Sequence, residues 1–162
     1  MIIGCTGNYR KEEFYTILQK VYAILNKEHI ECIISSDLKK NSTFNIPSIY
    51  KIMDFPLMVE KCDLLFAIGG DGTILSTVRR LEQNMKPIMG IHIGGLGFLS
   101  ECAENITYIL DGNYTVSERM LLEANITPPN DSKQKLWGLN DIVVDHGPSA
   151  RLLKIEVQVS DH

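Results

Sequence analysis

No stretch of the 162-residue sequence approaches the ~18 consecutive apolar residues of a membrane-spanning helix. The start, Met1-Ile2-Ile3-Gly4-Cys5-Thr6-Gly7, lacks the basic residues and the long apolar run of a secretory leader. Membrane and secreted classes are set aside on these grounds, and a cytoplasmic protein is expected. The N-x-S/T matches at Asn41, Asn105, Asn113 and Asn125 then carry no glycosylation. Positive charge is also scarce, with 16 Lys and Arg against 20 Asp and Glu and a net charge of −4, which argues against a dedicated nucleic-acid binder. Any anionic ligand must be held by local groups. The four cysteines, Cys5, Cys32, Cys62 and Cys102, show no C-x-x-C spacing and no histidine pair nearby, so they are expected to be free, mostly buried thiols rather than a metal site or a disulfide framework.

What is present suits a packed core. Apolar residues make up 44% of the chain and charged ones only 22%, a balance that excludes disorder and allows one ordinary domain, or one domain and a piece of another. Strand and helix signals alternate through the first two thirds. Ile2 to Cys5 reads as a strand, and 6–11 as a polar loop. From about Glu12 to Lys27, Phe14, Ile17, Leu18, Val21, Tyr22 and Leu25 fall on one helical face. Glu31 to Ser35 is a second strand, Asp37 to Tyr50 a polar loop, and Pro56 to Lys61 a short helix opening on proline. Another strand, Ile88 to Ile91, follows Pro87, and Ser100 to Gly112 reads as a linker and short helix. Such alternation predicts an α/β fold, an open, mostly parallel sheet with flanking helices joined by right-handed crossovers.

From Tyr114 the pattern changes to successive strand-like runs, Tyr114 to Thr127, Lys135 to Asp145 and Arg151 to Ser160, joined by Pro, Asn, Asp and Gly. The division expected is an α/β domain over 1–112 and the start of an all-β domain over 113–162. That second part ends inside a strand-like run and reads as unfinished.

Between these signals lies the stretch around which the chain is organised. Leu64-Leu65-Phe66-Ala67-Ile68 is a buried-type strand ending in Gly69-Gly70-Asp71-Gly72-Thr73, and apolar residues at helical spacing follow to Leu81. Asp71 therefore stands at a strand-to-helix corner, where ligands of open α/β sheets bind and where free backbone N–H groups meet anions. The glycines permit unusual backbone angles and close approach of a phosphate. The plain alternative is a tight turn with Asp71 as a helix cap. A second glycine cluster ends the next strand, His92-Ile93-Gly94-Gly95-Leu96-Gly97-Phe98-Leu99, so two neighbouring corners can enclose one ligand. A G-x-G-x-x-G dehydrogenase reading fits poorly, because residues 98–100 are Phe-Leu-Ser and no helix opens there. Asn140 and Asp141, at the head of a strand-like run, offer an amide and a carboxylate suited to base or ribose edges, or are ordinary turn chemistry.

Three of these segments carry a resemblance. The first is similar to the Gly-Gly-Asp-Gly-Thr motif of the NAD kinases, shared more loosely with lipid kinases and 6-phosphofructokinases. Gly90-Ile91-His92-Ile93-Gly94-Gly95-Leu96-Gly97-Phe98-Leu99 resembles that family's Gly-hydrophobic-Asn-x-Gly-x-Leu-Gly-Phe-Leu motif, with His92 where asparagine is usual. Asn140-Asp141 resembles its dinucleotide-contacting pair, Glu118-Arg119-Met120-Leu121-Leu122 its Glu-Arg-x-x-Leu strand, and Arg151 falls where relatives place a basic contact. The resemblance implies phosphorylation of the adenosine ribose 2′-hydroxyl of NAD by ATP with Mg²⁺, giving NADP. It implies Asp71 as general base, Gly69, Gly70, Gly72 and Thr73 shaping the phosphate corner, Asn140 and Asp141 holding NAD, and Arg151 adding charge or a hydrogen bond. No Walker lysine motif is present, so kinase chemistry rests on the glycine corner.

The family's Gly-Ser-Thr-Ala-Tyr segment has no counterpart before His162. An N-terminal fragment, inactive or weakly active and self-associating through exposed sheet edges, is accordingly expected. Two other readings stay open: a lipid or sugar kinase of the wider Gly-Gly-Asp-Gly group, and a non-catalytic dinucleotide-binding remnant.

Overall fold

The structure, a computed structural model, describes residues 1–40, 47–94, 97, 99–127, 134–148 and 152–159. Its frame is a six-stranded parallel sheet built from β1 (Ile2–Gly7), β2 (Glu31–Ser35), β3 (Lys51–Met53), β4 (Leu64–Gly69), β5 (Ile88–His92) and β6 (Ser100–Glu101) in the order β3-β2-β1-β4-β5-β6. The order reverses between β1 and β4, which pair in register from Ile3 with Leu64 to Gly7 with Ile68. Two crossovers leave in opposite directions at that point and open a crevice at the carboxyl ends of the strands.

β4 shows why the sheet is covered on both faces. Leu64, Phe66 and Ile68 join one cluster, with Phe14, Leu18, Val21 and Leu25 of α1 (Phe14–Lys27) and Ile106 of α4 (Ile106–Leu110). Leu65 turns the other way, onto Met58 and Val59 of α2 (Phe55–Lys61), and Ala67 onto Ile74 and Val78 of α3 (Asp71–Leu81). A side-chain period of two with both sets apolar is the pattern of a central parallel strand. Each fully buried large side chain contributes about 1.5–3 kcal/mol, so the β4 platform is the most firmly held part of the chain.

A second, antiparallel sheet pairs β7 (Leu122–Ile126) with β8 (Gln134–Gly138). Leu121 and Leu139, flanking these strands, pack onto Ala67, Ile74 and Val78, so the hairpin rests on α3. Among the described residues no helix is long and apolar enough to cross a membrane. Cys5, Cys32, Cys62 and Cys102 are free, the first three buried. The Sγ atoms of Cys5 and Cys32 lie 3.5 Å apart. That hydrogen bond, with burial behind it, holds the Cys5 thiol well above its ordinary 9.0, and burial also raises Cys62.

The α/β class and the parallel sheet are as the alternation predicts, but several bounds move. α1 opens at Phe14 rather than near Glu12, β3 occupies residues without an assignment between the polar loop ending at Tyr50 and the helix from Pro56, and β6 appears within the stretch that reads as a linker. Both are edge strands, of three and two residues, too short to show a period. Residues 114–121, 139–145 and 152–159 are not strands, although their composition suggests it. Extended residues without a neighbouring strand form no ladder, and strand propensity alone does not supply one.

Candidate active site

β4 ends at Gly69, and Gly70, with φ −114° and ψ −172°, is the N-cap of α3, whose first residue is Asp71. The helix is therefore opened by glycine, and Asp71 is not its cap. The half-buried Asp71 carboxylate reaches across to the loop after β5, where its Oδ1 accepts a hydrogen bond from the Leu99 N–H at 3.1 Å. Gly97 completes the seat. A Cβ on Gly97 would lie 2.3 Å from Asp71 Oδ1, so only glycine lets that loop close over the carboxylate.

The glycines of the corner have different physical reasons. At Gly69 a Cβ would stand 2.1 Å from Thr73 Oγ1, so the first turn of α3 packs directly against the strand end. Above Gly70 and Gly72 there is nothing within 4 Å of an added Cβ. None of the three adopts a positive φ. Unusual backbone angles are thus not why the corner is glycine-rich; close packing at 69 and open space at 70 and 72 are. Thr73 is half-buried, its backbone carbonyl accepting from Thr77 Oγ1 at 2.8 Å within the helix.

His92 ends β5 directly opposite Gly69 in the sheet register. Its Nδ1 lies 2.9 Å from the Glu101 carbonyl oxygen, which can only accept, so Nδ1 carries the proton. This bond ties the end of β5 to β6 at the base of the loop that holds Asp71. The Ile93 N–H donates to the Gly69 carbonyl at 2.9 Å and continues the tie onto β4.

The structure thus gathers Gly69, Gly70, Asp71, Gly72, Thr73 and His92 at one corner. Asn140 and Asp141 are exposed in the bend after β8, with Leu139 anchoring that bend to the α3 cluster. No hydrogen bond joins them to the corner among the described residues. Arg151 lies outside the described residues. Two contributors went unsigned in sequence, the Leu99 N–H and Gly97. Backbone donors leave no residue signature, and Gly97 was visible only as part of the second glycine cluster.

A cleft of about 890 Å³ opens on the flank of α3, between β5, α4 and residues 113–121. Its lining includes Ile74, Val78, Ile109, Val116, Leu121 and Leu139, but not Asp71. Polar groups, among them Lys86, Asn105, Ser117 and Arg119, share the lining with these apolar side chains, so the cleft is a mixed surface beside the glycine corner and separate from its carboxylate. The two adjoin at Leu99, which lines the cleft while its N–H holds the carboxylate. Among the described residues no group of three or more His, Cys, Asp or Glu is placed to hold a metal ion.

Comparison with known proteins adds a family to this geometry. Residues 3–115 match the family model of the ATP-NAD kinase N-terminal domain. The chain is 37% identical over 163 residues to an NAD kinase of Pseudomonas entomophila, covering 97% of this chain and 54% of that protein. It is 29% identical over 165 residues to an NAD kinase of Natranaerobius thermophilus, covering 97% and 55%. The chain thus spans about half the length of the curated relatives it matches. Among solved structures, yeast NADH kinase complexed with NADH superimposes with a TM-score of 0.73 at 19% identity, over 86% of this chain and 47% of that one. At that identity the likeness shows the fold.

Proposed function

The chain belongs to the NAD kinase family, and from that premise we propose that its glycine corner is the site of phosphoryl transfer from ATP to the adenosine ribose 2′-hydroxyl of NAD. The observation that carries the proposal is the placement of Asp71. It is a half-buried carboxylate at the carboxyl end of the central strand, fixed by the Leu99 N–H and bordered by open space over Gly70 and Gly72. Asp71 takes the proton from the 2′-hydroxyl as that oxygen attacks the γ-phosphorus, the bond from phosphorus to the β-bridging oxygen breaks, and NADP, ADP and one proton result. A positioned base contributes typically about 10²- to 10⁴-fold, and most of the remainder in such transfers is alignment and charge neutralisation. Because the carboxylate is already held by a backbone donor, little reorganisation is needed when the hydroxyl arrives.

Magnesium enters as part of the substrate, bridging the phosphates of ATP. The ion usually retains several waters and binds through phosphate oxygens and one or two carboxylates rather than a protein cage. The sparse carboxylates of this corner fit that mode. Asn140 and Asp141 are proposed to hold the dinucleotide, His92 to border it, and Arg151 to add a positive contact. We place the boundary between the nucleotide-binding domain and the β-rich portion near residue 112, and propose a cytoplasmic protein that associates with itself.

The test is incubation of the chain with NAD, ATP and Mg²⁺, following NADP, with a diacylglycerol and fructose 6-phosphate as competing acceptors. NADP alone as product supports the reading. Phosphorylated lipid or sugar contradicts it, and NAD binding without NADP formation favours a binding module instead.

A further inference from the structure

A triphosphate brings several negative charges to a chain whose own net charge is −4 and which has no Walker lysine. A cation is therefore required at the crevice itself. The loop after β1 supplies one. Asn8 N–H donates to the Ile68 carbonyl at 2.9 Å, and Lys11 N–H donates to the Asn8 carbonyl at 3.2 Å, so this loop is laced to the end of β4. From there the Lys11 side chain runs back over the sheet end. Its Nζ donates to the Ile93 carbonyl at 3.0 Å, on the residue whose N–H is held by Gly69.

That course is unusual for a lysine at the edge of a loop. An unconstrained one extends its ammonium into water. Lys11 is half-buried and forms no ion pair among the described residues. Among the described residues its acceptor is a neutral carbonyl, which leaves the charge without a carboxylate partner and leaves further N–H donors for a ligand there. The ammonium thus stands at the carboxyl end of β5, one residue past His92 and next to the Ile93 N–H bond to Gly69, where β4 gives way to the glycine corner.

We infer that Lys11 is a phosphate-contacting residue, its ammonium neutralising part of the triphosphate charge of the nucleotide seated at the glycine corner. The inference rests on the phosphoryl-transfer reading given above. A purely structural role, tying the loop after β5 to the loop after β1, makes a different prediction, and one substitution separates the two. Lys11→Gln keeps a donor for the Ile93 carbonyl and removes the charge, whereas Lys11→Arg keeps both.

The probe is inorganic tripolyphosphate, titrated calorimetrically into the full chain at several salt concentrations. Lys11→Gln is expected to weaken binding about tenfold, the loss of one charge-assisted contact, and to flatten the dependence of affinity on salt. Lys11→Arg is expected to bind within about threefold of the unaltered chain, with the melting temperatures of all three alike. Equal affinity and equal salt dependence in Lys11→Gln would overturn the inference, as would failure of the unaltered chain to bind tripolyphosphate. Asp71→Asn keeps the two proposals apart. NADP formation undiminished in that variant would defeat the proposed role of Asp71 as base, and no NADP from the unaltered chain would defeat the proposed reaction, while the tripolyphosphate titration decides the role of Lys11 in either case.

Discussion

In β4 every residue from Leu64 to Gly69 is buried, whereas in β7 four of the five residues from Leu122 to Ile126 are exposed. The contrast extends to the surroundings of each strand. The six-stranded sheet carries helices on both faces and closes over its own core, with Phe14, Phe66, Leu65 and Ile68 fully buried. The two-stranded sheet lies against α3 through β8 and the flanking Leu121 and Leu139, and outside that contact Met120, Val143 and Val157 stand 82%, 72% and 77% exposed. A platform that needs nothing further can hold a carboxylate at a fixed place. A two-stranded ribbon with uncovered apolar residues is marginal alone and invites a partner. The proposed chemistry accordingly sits on the first region, and the proposed association on the second.

The sharpest way to break this comparison is to cut into each region and compare the losses. Phe66→Ala, in the β4 core, is expected to lower unfolding free energy by about 3–5 kcal/mol, and Val157→Ala to change it by less than about 0.5 kcal/mol, both read from urea denaturation. Similar losses at the two positions would mean that the second region is as well packed as the first.

Next in size is the loop that closes on the carboxylate. Gly97→Ala puts a methyl group 2.3 Å from Asp71 Oδ1 and forces carboxylate or loop aside. NADP formation is expected to fall by about tenfold or more. An unchanged rate would show that the seat built by Gly97 and Leu99 is dispensable. Replacing Val143 and Val157 by lysine should leave folding intact and lower the mass seen by light scattering at high concentration, since like charges on an uncovered apolar surface oppose its burial against another chain. Persistence of the larger species would locate self-association elsewhere.

Gly72→Ala has a smaller effect with two signs. Residue 72 lies in α3 with open space around it, so alanine is expected to stabilise the unliganded chain by about 0.5–1 kcal/mol while intruding on the nucleotide. A raised melting temperature with weakened ATP binding is the expected pair of results; tighter binding would remove the nucleotide from that space.

The smallest effect belongs to the exposed hairpin. Hydrogen bonds from Lys135, then Asn125, hold the Glu123 carboxyl below its ordinary 4.5. Because the folded value is depressed, any stabilisation is present above the unfolded value and disappears as pH falls through the folded one. Lys135→Gln should move the Glu123 titration upward by NMR and change stability little, as expected for an exposed pair.

The same contrast explains what the sequence made legible. β2 stands where its residues predict, Glu31–Ser35, because buried strands carry apolar runs whatever their neighbours do. The corner from Gly69 to Thr73 was legible for the same reason, framed by an apolar strand and a helical period. β3 and β6 were not, since strands of two or three residues at a sheet edge owe their existence to a neighbour. Tyr114 to Met120 erred in the other direction, with apolar residues but no strand to pair with. At the site, side chains announced themselves and backbone did not: Asp71 was visible, the Leu99 N–H that fixes it was not, and Lys11 read as part of a polar loop.

One comparison of rates bears on the central claim more directly than any other. Asp71→Asn preserves the size of the side chain and removes the base, so with NAD, ATP and Mg²⁺ the account predicts NADP formation reduced by about 10²- to 10⁴-fold, with NAD affinity within a few-fold of the unaltered chain. Equal rates in the two proteins would contradict it.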